Sequence, residues 1–436
     1  MATPAYQPVE AVRVFAWGTE IGAVTRDPKQ RALVFQYTDR WIKQGIELSP
    51  LHMPLAREPY TFPLLPEATF KGLPALLADS LPDDFGNSLI DGFLAQKGVD
   101  KRSITALDRL AYMGTRAMGA LEFKPVRGPR QTKPTAIELG ALVFAAREAL
   151  QGNFDGDREA EAAIKNLIQV GTSAGGARAK AVIAWNPGTN EMMSGQVPAP
   201  EGFSQWLVKL DGVAKDAGLG PAGRLGNGKG YGRIEYAYHL MATAAGIAMS
   251  DCRLLEENGR AHFMTRRFDR DGAQKNHIQT LCALDHLDYK AIGTHDYAQY
   301  FLVIQRFGLP QASYAEAFRR MCFNVYSANC DDHTKNFSFL LRNGAMWELS
   351  PAYDITHAHD PDNAWLREHL MAVNGKFSGI TRDDLLAVGD RFEVPGMKAI
   401  IEEVADAVSR WKAFAKDAGI PVDVARDIAK DHGLKD

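Results

Sequence analysis

Cysteine is scarce in this 436-residue chain. The four cysteines are Cys252, Cys282, Cys322 and Cys330, and no two of them form a C-x-x-C pair. Disulfide-dependent secreted proteins and structural zinc sites need paired or regularly spaced cysteines. The sequence therefore predicts neither a disulfide framework nor a cysteine-based zinc site, and it fits a reducing compartment.

An excess of positive charge is also missing. The 50 lysines and arginines are balanced by 53 aspartates and glutamates, which gives a formal net charge of -3. Proteins that coat nucleic acid neutralise phosphates with Lys and Arg, so this balance argues against that class. Extended low-complexity tracts are absent too, and 46% of the residues are hydrophobic. We therefore expect the whole chain to fold.

Long apolar runs are absent as well. The longest, Ala141–Ala146, is far shorter than the ~20 residues that a membrane-spanning helix needs. The segment Met1–Glu10 has neither the basic nor the apolar part of a secretory signal. We therefore expect a cytoplasmic protein without membrane contact.

The amino-terminal part of the chain has a mixed pattern. Residues 12–37 alternate as a β-meander does, helical patterns follow over 73–113, and 120–124 returns to strand character. We interpret residues 1–125 as an accessory α+β region. The segment 125–134 is rich in proline and basic residues, which is typical of a linker.

The strongest candidate site begins at Asp331. Asp331 and Asn336 have the spacing D-x-x-x-x-N, a hairpin with an Asn-Gly type I′ turn is predicted over 337–349, and Asp354 follows it. A protein kinase catalytic loop has the same order of base, metal-binding Asn, two short strands and metal-binding Asp. The spacing therefore indicates a kinase-like centre.

Phosphoryl transfer needs a group that accepts the proton of the acceptor hydroxyl, and hard oxygen ligands for a divalent metal. We therefore assign Asp331 as the catalytic base, with His333 beside it in catalysis and in nucleotide binding. Asn336 and Asp354 are assigned as Mg²⁺ ligands, and Asp332 and His333 are expected to contact metal or phosphate. Taken alone, the spacing is equally explained by aspartates that cap a turn and an asparagine that holds a loop.

A glycine-rich segment upstream favours the kinase interpretation. Residues 171–176 precede an apolar strand that begins near Lys180, and such a loop can lay backbone N–H groups along phosphate oxygens. We assign Ser173, Gly175, Gly176 and Lys180 to ATP binding. A segment of this kind is otherwise a turn that ends a helix.

Two further residues complete the order found in kinases. Lys209 lies in a predicted strand over 206–210, and Glu235 lies on a predicted helix over 234–245. A lysine in such a strand binds phosphate or is a solvated residue of an edge strand. Chance agreement of loop, lysine, glutamate, catalytic loop and metal aspartate is improbable, so we expect ATP and Mg²⁺ as cofactors.

A change from mixed to helical pattern near residue 270 predicts a hinge. Arg266 and Phe268 are assigned to the nucleotide site, where their backbone could bind adenine, although Asp269 and the neighbouring arginines fit a structural salt-bridge cluster better. We therefore predict a bilobal protein-kinase-like α+β fold, with 135–270 as the amino-terminal lobe and 271–436 as the mostly helical carboxy-terminal lobe.

One motif competes with this assignment. Residues 223–230 match the first part of a Walker A loop, G-x-x-x-x-G-K, but lack the Ser or Thr that contacts Mg²⁺, and no strand leads into them. We interpret residues 218–232 as a glycine-rich loop beside the mouth of the site, with an open role.

The chain resembles the HipA family, the kinase toxins of bacterial type II toxin–antitoxin pairs, over nearly its whole length. The segments that carry the resemblance are Ser80–Asp83, Met118–Phe123, Thr172–Gly176 with Lys180, Arg267–Arg270, Asp331–Phe337 and Ser350–Asp354. The resemblance implies an accessory amino-terminal region joined to a bilobal serine/threonine kinase domain.

The resemblance also implies partners. The expected substrate class is aminoacyl-tRNA synthetases, and Ser173 matches an autophosphorylated serine whose phosphate would repel ATP or eject the loop. The expected partner is a small helix-turn-helix antitoxin like HipB, through which DNA would be contacted only indirectly.

Two alternatives stay open. The kinase fold could serve chiefly to bind an antitoxin as a catalytically weak regulator. A Mg²⁺-dependent nuclease could be built from Asp331, Asp332, His333 and Asp354, since clustered carboxylates also support two-metal hydrolysis.

Overall fold

The chain divides into two compact units. Unit 1 holds residues 1–215, 269–279 and 341–345, and unit 2 holds residues 216–268, 280–340 and 346–436. The structure, a computed structural model, describes residues 6–27, 32–82, 84–95, 98–128, 139–151, 179–196, 199–213 and 230–433. The three-part division with boundaries near 125 and 270 stays a prediction.

Unit 1 begins with the meander. Strands β1 (Ala11–Ala16), β2 (Thr19–Arg26) and β3 (Leu33–Tyr37) pair antiparallel, which confirms the prediction for 12–37. Strand β4 (Leu121–Lys124) pairs with the free edge of β1, so the order is β3-β2-β1-β4. Local alternation predicts a strand at β4 but does not reveal its distant partner.

The helices of unit 1 are mostly short. They are α1 (Asp39–Ile42), α2 (Glu67–Phe70), α3 (Ala75–Ala78), α4 (Asp84–Ala95), α5 (Ala106–Met113) and α6 (Leu139–Gln151). Helix α5 begins with a capping box of Thr105 and Asp108. Because Asp108 also accepts a hydrogen bond from the Val9 backbone at 2.8 Å, one carboxylate fixes both the helix start and the entry to β1.

A second antiparallel group of strands follows in unit 1. Strand β5 (Lys180–Trp185) lies between β6 (Met192–Ser194) and β7 (Ser204–Lys209), and all of its residues are buried, as in a central strand. The predicted strand around Lys209 is thereby confirmed. Later short strands are β10 (Arg270–Asp271), β11 (Gln274–Lys275) and β12 (His277–Thr280).

Unit 2 begins, in its described part, with a helix packed on a hairpin. Helix α7 (Tyr231–Ala244) contacts β8 (Cys252–Glu257) and β9 (Arg260–Arg266). Both turn residues are left-handed, Asn258 at φ 48° and Gly259 at φ 74°, as a type I′ turn requires. The helix predicted over 234–245 is confirmed and begins three residues earlier.

The rest of unit 2 is largely helical, as predicted. The helices are α8 (Leu281–Leu284), α9 (Tyr297–Arg306), α10 (Gln311–Tyr326), α11 (Arg382–Arg391), α12 (Met397–Ser409), α13 (Trp411–Asp417) and α14 (Val422–Ala429). Helix α10 packs against α12, and its second half is buried. Within the described ranges, no helix has both the length and the apolar character needed to cross a membrane.

Short strands of unit 2 lie on either side of the candidate site in the sequence. Strands β14 (Ser338–Leu341) and β15 (Trp347–Leu349) form the predicted hairpin, and β13 (His295–Asp296) pairs in parallel with β16 (Met371–Ala372), which was not predicted. The type I′ turn was wrong: Gly344 is left-handed at φ 78° but Asn343 is not. The first strand ends at Leu341, as expected, and the second begins at Trp347, so the loop between them is too long for a two-residue turn.

Candidate active site

The candidate site begins where α10 ends. Ala328 adopts a left-handed conformation at φ 53°, which turns the chain away from the helix axis. The Asn329 backbone donates to the Asn324 carbonyl at 3.0 Å, and its side-chain amide donates to Asn324 Oδ1 at 2.9 Å. These bonds close the helix end, so the following residues leave it in a fixed direction.

Asp332 is a buried anchor of this segment. Its fully buried side chain accepts hydrogen bonds from Tyr297 Oη at 2.9 Å and His369 Nδ1 at 2.9 Å. Its Oδ1 also accepts from the backbone N–H groups of Leu370 at 2.7 Å and Met371 at 3.4 Å. Because these donors satisfy the carboxylate inside unit 2, Asp332 holds the loop, and its expected contact with metal or phosphate is corrected.

The anchor belongs to a larger polar network. Asn324 Nδ2 donates to Tyr297 Oη at 2.9 Å. Burial, together with the nearby charge of Asp332, raises the pKa of Tyr297 well above its ordinary value, so the phenol remains a donor. The network joins α9, α10 and β16 around the loop and thereby fixes its backbone.

Asp331 has a different environment from its neighbour. Its side chain is 39% exposed, and Oδ1 accepts a hydrogen bond from Trp365 Nε1 at 2.7 Å. Asn336 Nδ2 donates to the Asp331 backbone oxygen at 2.7 Å. The Asn336 amide therefore uses its nitrogen within the loop and turns its oxygen away from that bond.

His333 lies within a group of aromatic rings beside Asp331. Its Nε2 is 3.8 Å from Asp331 Oδ1, and its ring centroid is 5.2 Å from that of Tyr289 and 6.1 Å from that of Trp365. We call Tyr289, His333 and Trp365 the aromatic cluster. Among the described residues, the buried Nδ1 of His333 meets no hydrogen-bond partner.

Asp354 is tied to the same loop through the residue before it. Tyr353 Oη donates to the Lys335 carbonyl at 2.7 Å and is hydrogen-bonded to Ser338 Oγ. Asp354 itself is left-handed at φ 53°, a conformation that Asp tolerates better than most residues. The structure therefore attaches the segment that carries Asp354 to the segment that carries Asn336.

The predicted hinge residues have two environments. Arg266 is exposed and lies 3.6 Å from Asp251, whereas the Phe268 ring lies 5.9 Å from that of Tyr353, beside the segment that carries Asp354. Phe268 is thus placed near the candidate metal ligand within unit 2.

The salt-bridge interpretation of Asp269 is confirmed within unit 1. Its fully buried carboxylate pairs with Arg270 at 2.6 Å and accepts the Gly119 N–H at 2.9 Å. Arg270 also donates to the Ala117 and Gly119 carbonyls, both at 3.1 Å. This cluster is structural.

Unit 1 brings the two predicted lysines together. Lys180 and Lys209 are direct cross-strand partners on β5 and β7, so their side chains leave the same face of the sheet. Lys180 is only 3% exposed. A buried ammonium needs anionic or hydrogen-bonding groups around it, which suits a face that binds phosphate.

Several predicted residues lie outside the described part of the chain. They are Ser173, Gly175 and Gly176 of the glycine-rich segment, and most of the 218–232 loop. Among the described residues, no group of three His, Cys, Asp or Glu side chains is arranged to hold a metal ion unaided.

Sequence reasoning missed the residues that hold the loop. Tyr297, Trp365 and His369 lie 34 to 37 positions from their carboxylate partners, and no motif spacing connects them. Only the folded arrangement of unit 2 reveals these contacts.

Two domain models of one protein family match the chain. The HipA N-terminal domain matches residues 12–124, and the HipA-like C-terminal domain matches residues 172–411. Among curated proteins, "Putative kinase Y4dM" of Sinorhizobium fredii is 24% identical over 256 residues, which are 53% of this chain and 58% of that protein. The match thus spans little more than half of the relative's length.

Solved structures show a similar fold. The HipA chain from the Shewanella oneidensis MR-1 toxin–antitoxin complex with HipB and operator DNA aligns with a TM-score of 0.65 and 18% identity, covering 96% of this chain and 94% of that one. The Helicobacter pylori proinflammatory kinase CtkA aligns with a TM-score of only 0.32 and 15% identity, covering 52% and 88% of the two chains, which is too weak to indicate a shared fold.

The C-terminal domain model matches more than half of the chain and includes the candidate catalytic segment, and the N-terminal domain model matches the accessory region. The similarity to the Shewanella structure extends over almost the whole of both chains. The chain therefore belongs to the HipA family.

Proposed function

We propose that this protein is an ATP-dependent serine/threonine protein kinase. The observation that carries the proposal is the contrast between neighbouring residues of the loop. Asp332 is buried and holds the loop, Asp331 is half-exposed, and Asn336 uses its amide nitrogen, not its oxygen, to bond the Asp331 backbone. A loop held this firmly by one carboxylate can present the next one to a substrate.

Asp331 is proposed to accept the proton of the acceptor hydroxyl. As that proton moves to Asp331, the hydroxyl oxygen bonds to the γ-phosphorus, and ADP leaves with the electron pair of the broken phosphorus–oxygen bond. His333, whose Nε2 lies 3.8 Å from Asp331 Oδ1, is proposed to hydrogen-bond a phosphate oxygen or the acceptor.

The residues present fit a magnesium ion. The amide oxygen of Asn336 and the carboxylate of Asp354 are hard oxygen donors, and Tyr353 joins their segments. Mg²⁺ usually takes one or two protein ligands and completes its shell with phosphate and water, so a larger protein cluster is not required. When bound, the ion would neutralise charge on the transferred phosphoryl group.

The predicted nucleotide-binding residues keep that role in the proposal. Lys180 and Lys209 share one face of their sheet and supply positive charge for phosphates, while Phe268 supplies an apolar ring near Tyr353. The proposal retains Ser173, Gly175 and Gly176 as the phosphate loop and Arg266 as a neighbour of adenine.

The biological role we propose follows from family membership. The Shewanella relative forms a complex with HipB and operator DNA. By analogy, this chain would be the toxin of a type II pair, would bind a helix-turn-helix antitoxin, and would phosphorylate an aminoacyl-tRNA synthetase. Ser173 would be its autophosphorylation site.

The two alternatives fare differently. A nuclease that uses Asp332 as a metal ligand is disfavoured because that carboxylate is enclosed by four donors. A kinase-fold regulator without activity remains the competing proposal, since anchoring of the loop serves either role.

The test is incubation of the purified protein with ATP and Mg²⁺, followed by intact-mass and peptide mass spectrometry. The proposal expects one added phosphate on Ser173 in the wild type and none in Ser173→Ala. ATP binding without any transfer, to itself or to proteins of a bacterial lysate, would favour the regulator. Mg²⁺-dependent cleavage of DNA would favour the nuclease.

A further inference from the structure

Trp365 contacts the proposed base directly. Its indole Nε1 lies 2.7 Å from Asp331 Oδ1. An indole has a single N–H and accepts no hydrogen bond, so this contact has one possible polarity. It occupies one carboxylate oxygen and leaves Oδ2 to meet the acceptor hydroxyl.

The tryptophan lies on a short loop that is bonded to itself. We call residues 360–367 the Trp365 loop. The Trp365 N–H donates to Asn363 Oδ1 at 2.9 Å, the Asp360 N–H donates to the Leu366 carbonyl at 3.2 Å, and the Leu366 N–H donates to the Asn363 carbonyl at 3.0 Å. These bonds order the backbone of the loop that carries the indole.

Both ends of the Trp365 loop are attached to the segment that carries Asp331. Before the loop, the Ala358 carbonyl accepts the Cys330 N–H at 3.0 Å. After it, Asp332 accepts from His369 at 2.9 Å and from the Leu370 N–H at 2.7 Å. The residues on either side of Asp331 therefore hold the two ends of the loop whose tryptophan contacts Asp331.

We propose that Trp365 is a positioning residue that fixes the orientation of the Asp331 carboxylate for proton acceptance. This inference rests on the proposed kinase function. The indole reaches this carboxylate at hydrogen-bond distance from a loop whose two ends are attached to the residues beside Asp331.

The kinetic test uses Trp365→Phe, which keeps an aromatic ring and removes the N–H. Loss of one hydrogen bond to a charged group is expected to lower the rate of phosphate incorporation at saturating ATP by about 10- to 100-fold. The half-saturating ATP concentration and the melting temperature should stay unchanged. Trp347→Phe is the matched control, because Trp347 packs beside Phe307 and is expected to keep wild-type kinetics.

A second measurement does not depend on activity. In protein labelled with ¹⁵N-tryptophan, the indole N–H resonance of Trp365, assigned by its loss in Trp365→Phe, should shift in Asp331→Asn. It should not shift in Asp362→Asn, since Asp362 is exposed on the same loop.

The outcomes distinguish the positioning role of Trp365 from the proposed kinase activity. Wild-type rates in Trp365→Phe, a rate loss matched by Trp347→Phe, or a loss accompanied by weaker ATP binding or lower stability would each overturn the positioning role. A Trp365 indole resonance that does not shift in Asp331→Asn would also overturn the positioning role. Absence of phosphate transfer by the wild type, together with the expected resonance shift, would instead refute the kinase proposal and leave the contact established.

Discussion

Asp331 and Asp332 are neighbours with the same chemistry and different environments. Asp332 is enclosed by donors from Tyr297, His369 and the start of β16, whereas Asp331 meets solvent and one indole. The sequence could single out both carboxylates but could not rank their burial, because the enclosing residues come from distant segments. The fold thus supplies the distinction between anchor and proposed base.

Removing the anchor should destabilise unit 2. Asp332→Ala leaves the Tyr297 hydroxyl and the His369 ring without their buried acceptor, so we expect the free energy of unfolding to fall by about 3–5 kcal/mol. Urea unfolding followed by circular dichroism measures it. Asp362→Ala, at an exposed position, should stay within about 0.5 kcal/mol of wild type. Equal stability of the two variants would contradict the anchoring role.

Helices and strands can be predicted from the sequence where neighbouring residues alone determine them. The meander, the helix near Glu235 and the Asn258-Gly259 hairpin are predictable from alternation, periodicity and turn residues. The β13–β16 pair and the position of β4 depend on partners far along the chain. The long turn after Leu341 shows that an Asn-Gly dipeptide alone does not set where strands stop.

Close packing between α7 and β9 should depend on Gly232. A Cβ there would lie 2.0 Å from the Ala261 carbonyl oxygen, so Gly232→Ala must displace the helix or the strand. We expect a loss of about 1–3 kcal/mol in unfolding free energy, measured by thermal or urea unfolding. Thr243→Ala, at an exposed position of the same helix, is the control. A neutral Gly232→Ala would show that the two elements are free to separate.

For the molecule as a whole, the sequence predicted the HipA family and the mixed helix-and-sheet fold, both of which are confirmed. The order of the motifs made this possible, because the glycine-rich loop, the lysine and the carboxylates follow one another in the same order along the chain whatever the details of packing. The polar networks and the buried histidines could not be predicted from the sequence, because burial depends on which residues cover a side chain after folding. His277 is such a case, with 1% exposure in unit 1.

The free energy of unfolding should fall as the pH is lowered, because His277 is buried in its neutral form. Burial lowers the pKa of His277 to about 4, although its hydrogen bond to the Leu48 carbonyl opposes the shift. The unfolded chain, with an ordinary pKa of about 6.5, binds the proton first, so the contribution is present above pH ~6.5 and is lost as the pH falls towards 4. The resulting loss in the free energy of unfolding is on the order of 3 kcal/mol.

His277→Gln should flatten this dependence when urea unfolding is measured between pH 7 and about 4. Burial likewise lowers the pKa of His432, to about 3, so a smaller slope should persist in the variant. Identical slopes in the two proteins would rule out the assignment to His277.

The central claim is that Asp331 serves phosphoryl transfer from ATP. The most direct measurement is the time course of phosphate incorporation from γ-labelled ATP with Mg²⁺, comparing wild type, Asp331→Asn and the exposed-site control Asp362→Asn at equal melting temperature and equal ATP binding. We expect wild type and Asp362→Asn to incorporate phosphate at the same rate, and Asp331→Asn to incorporate essentially none. Undiminished incorporation by Asp331→Asn would contradict it.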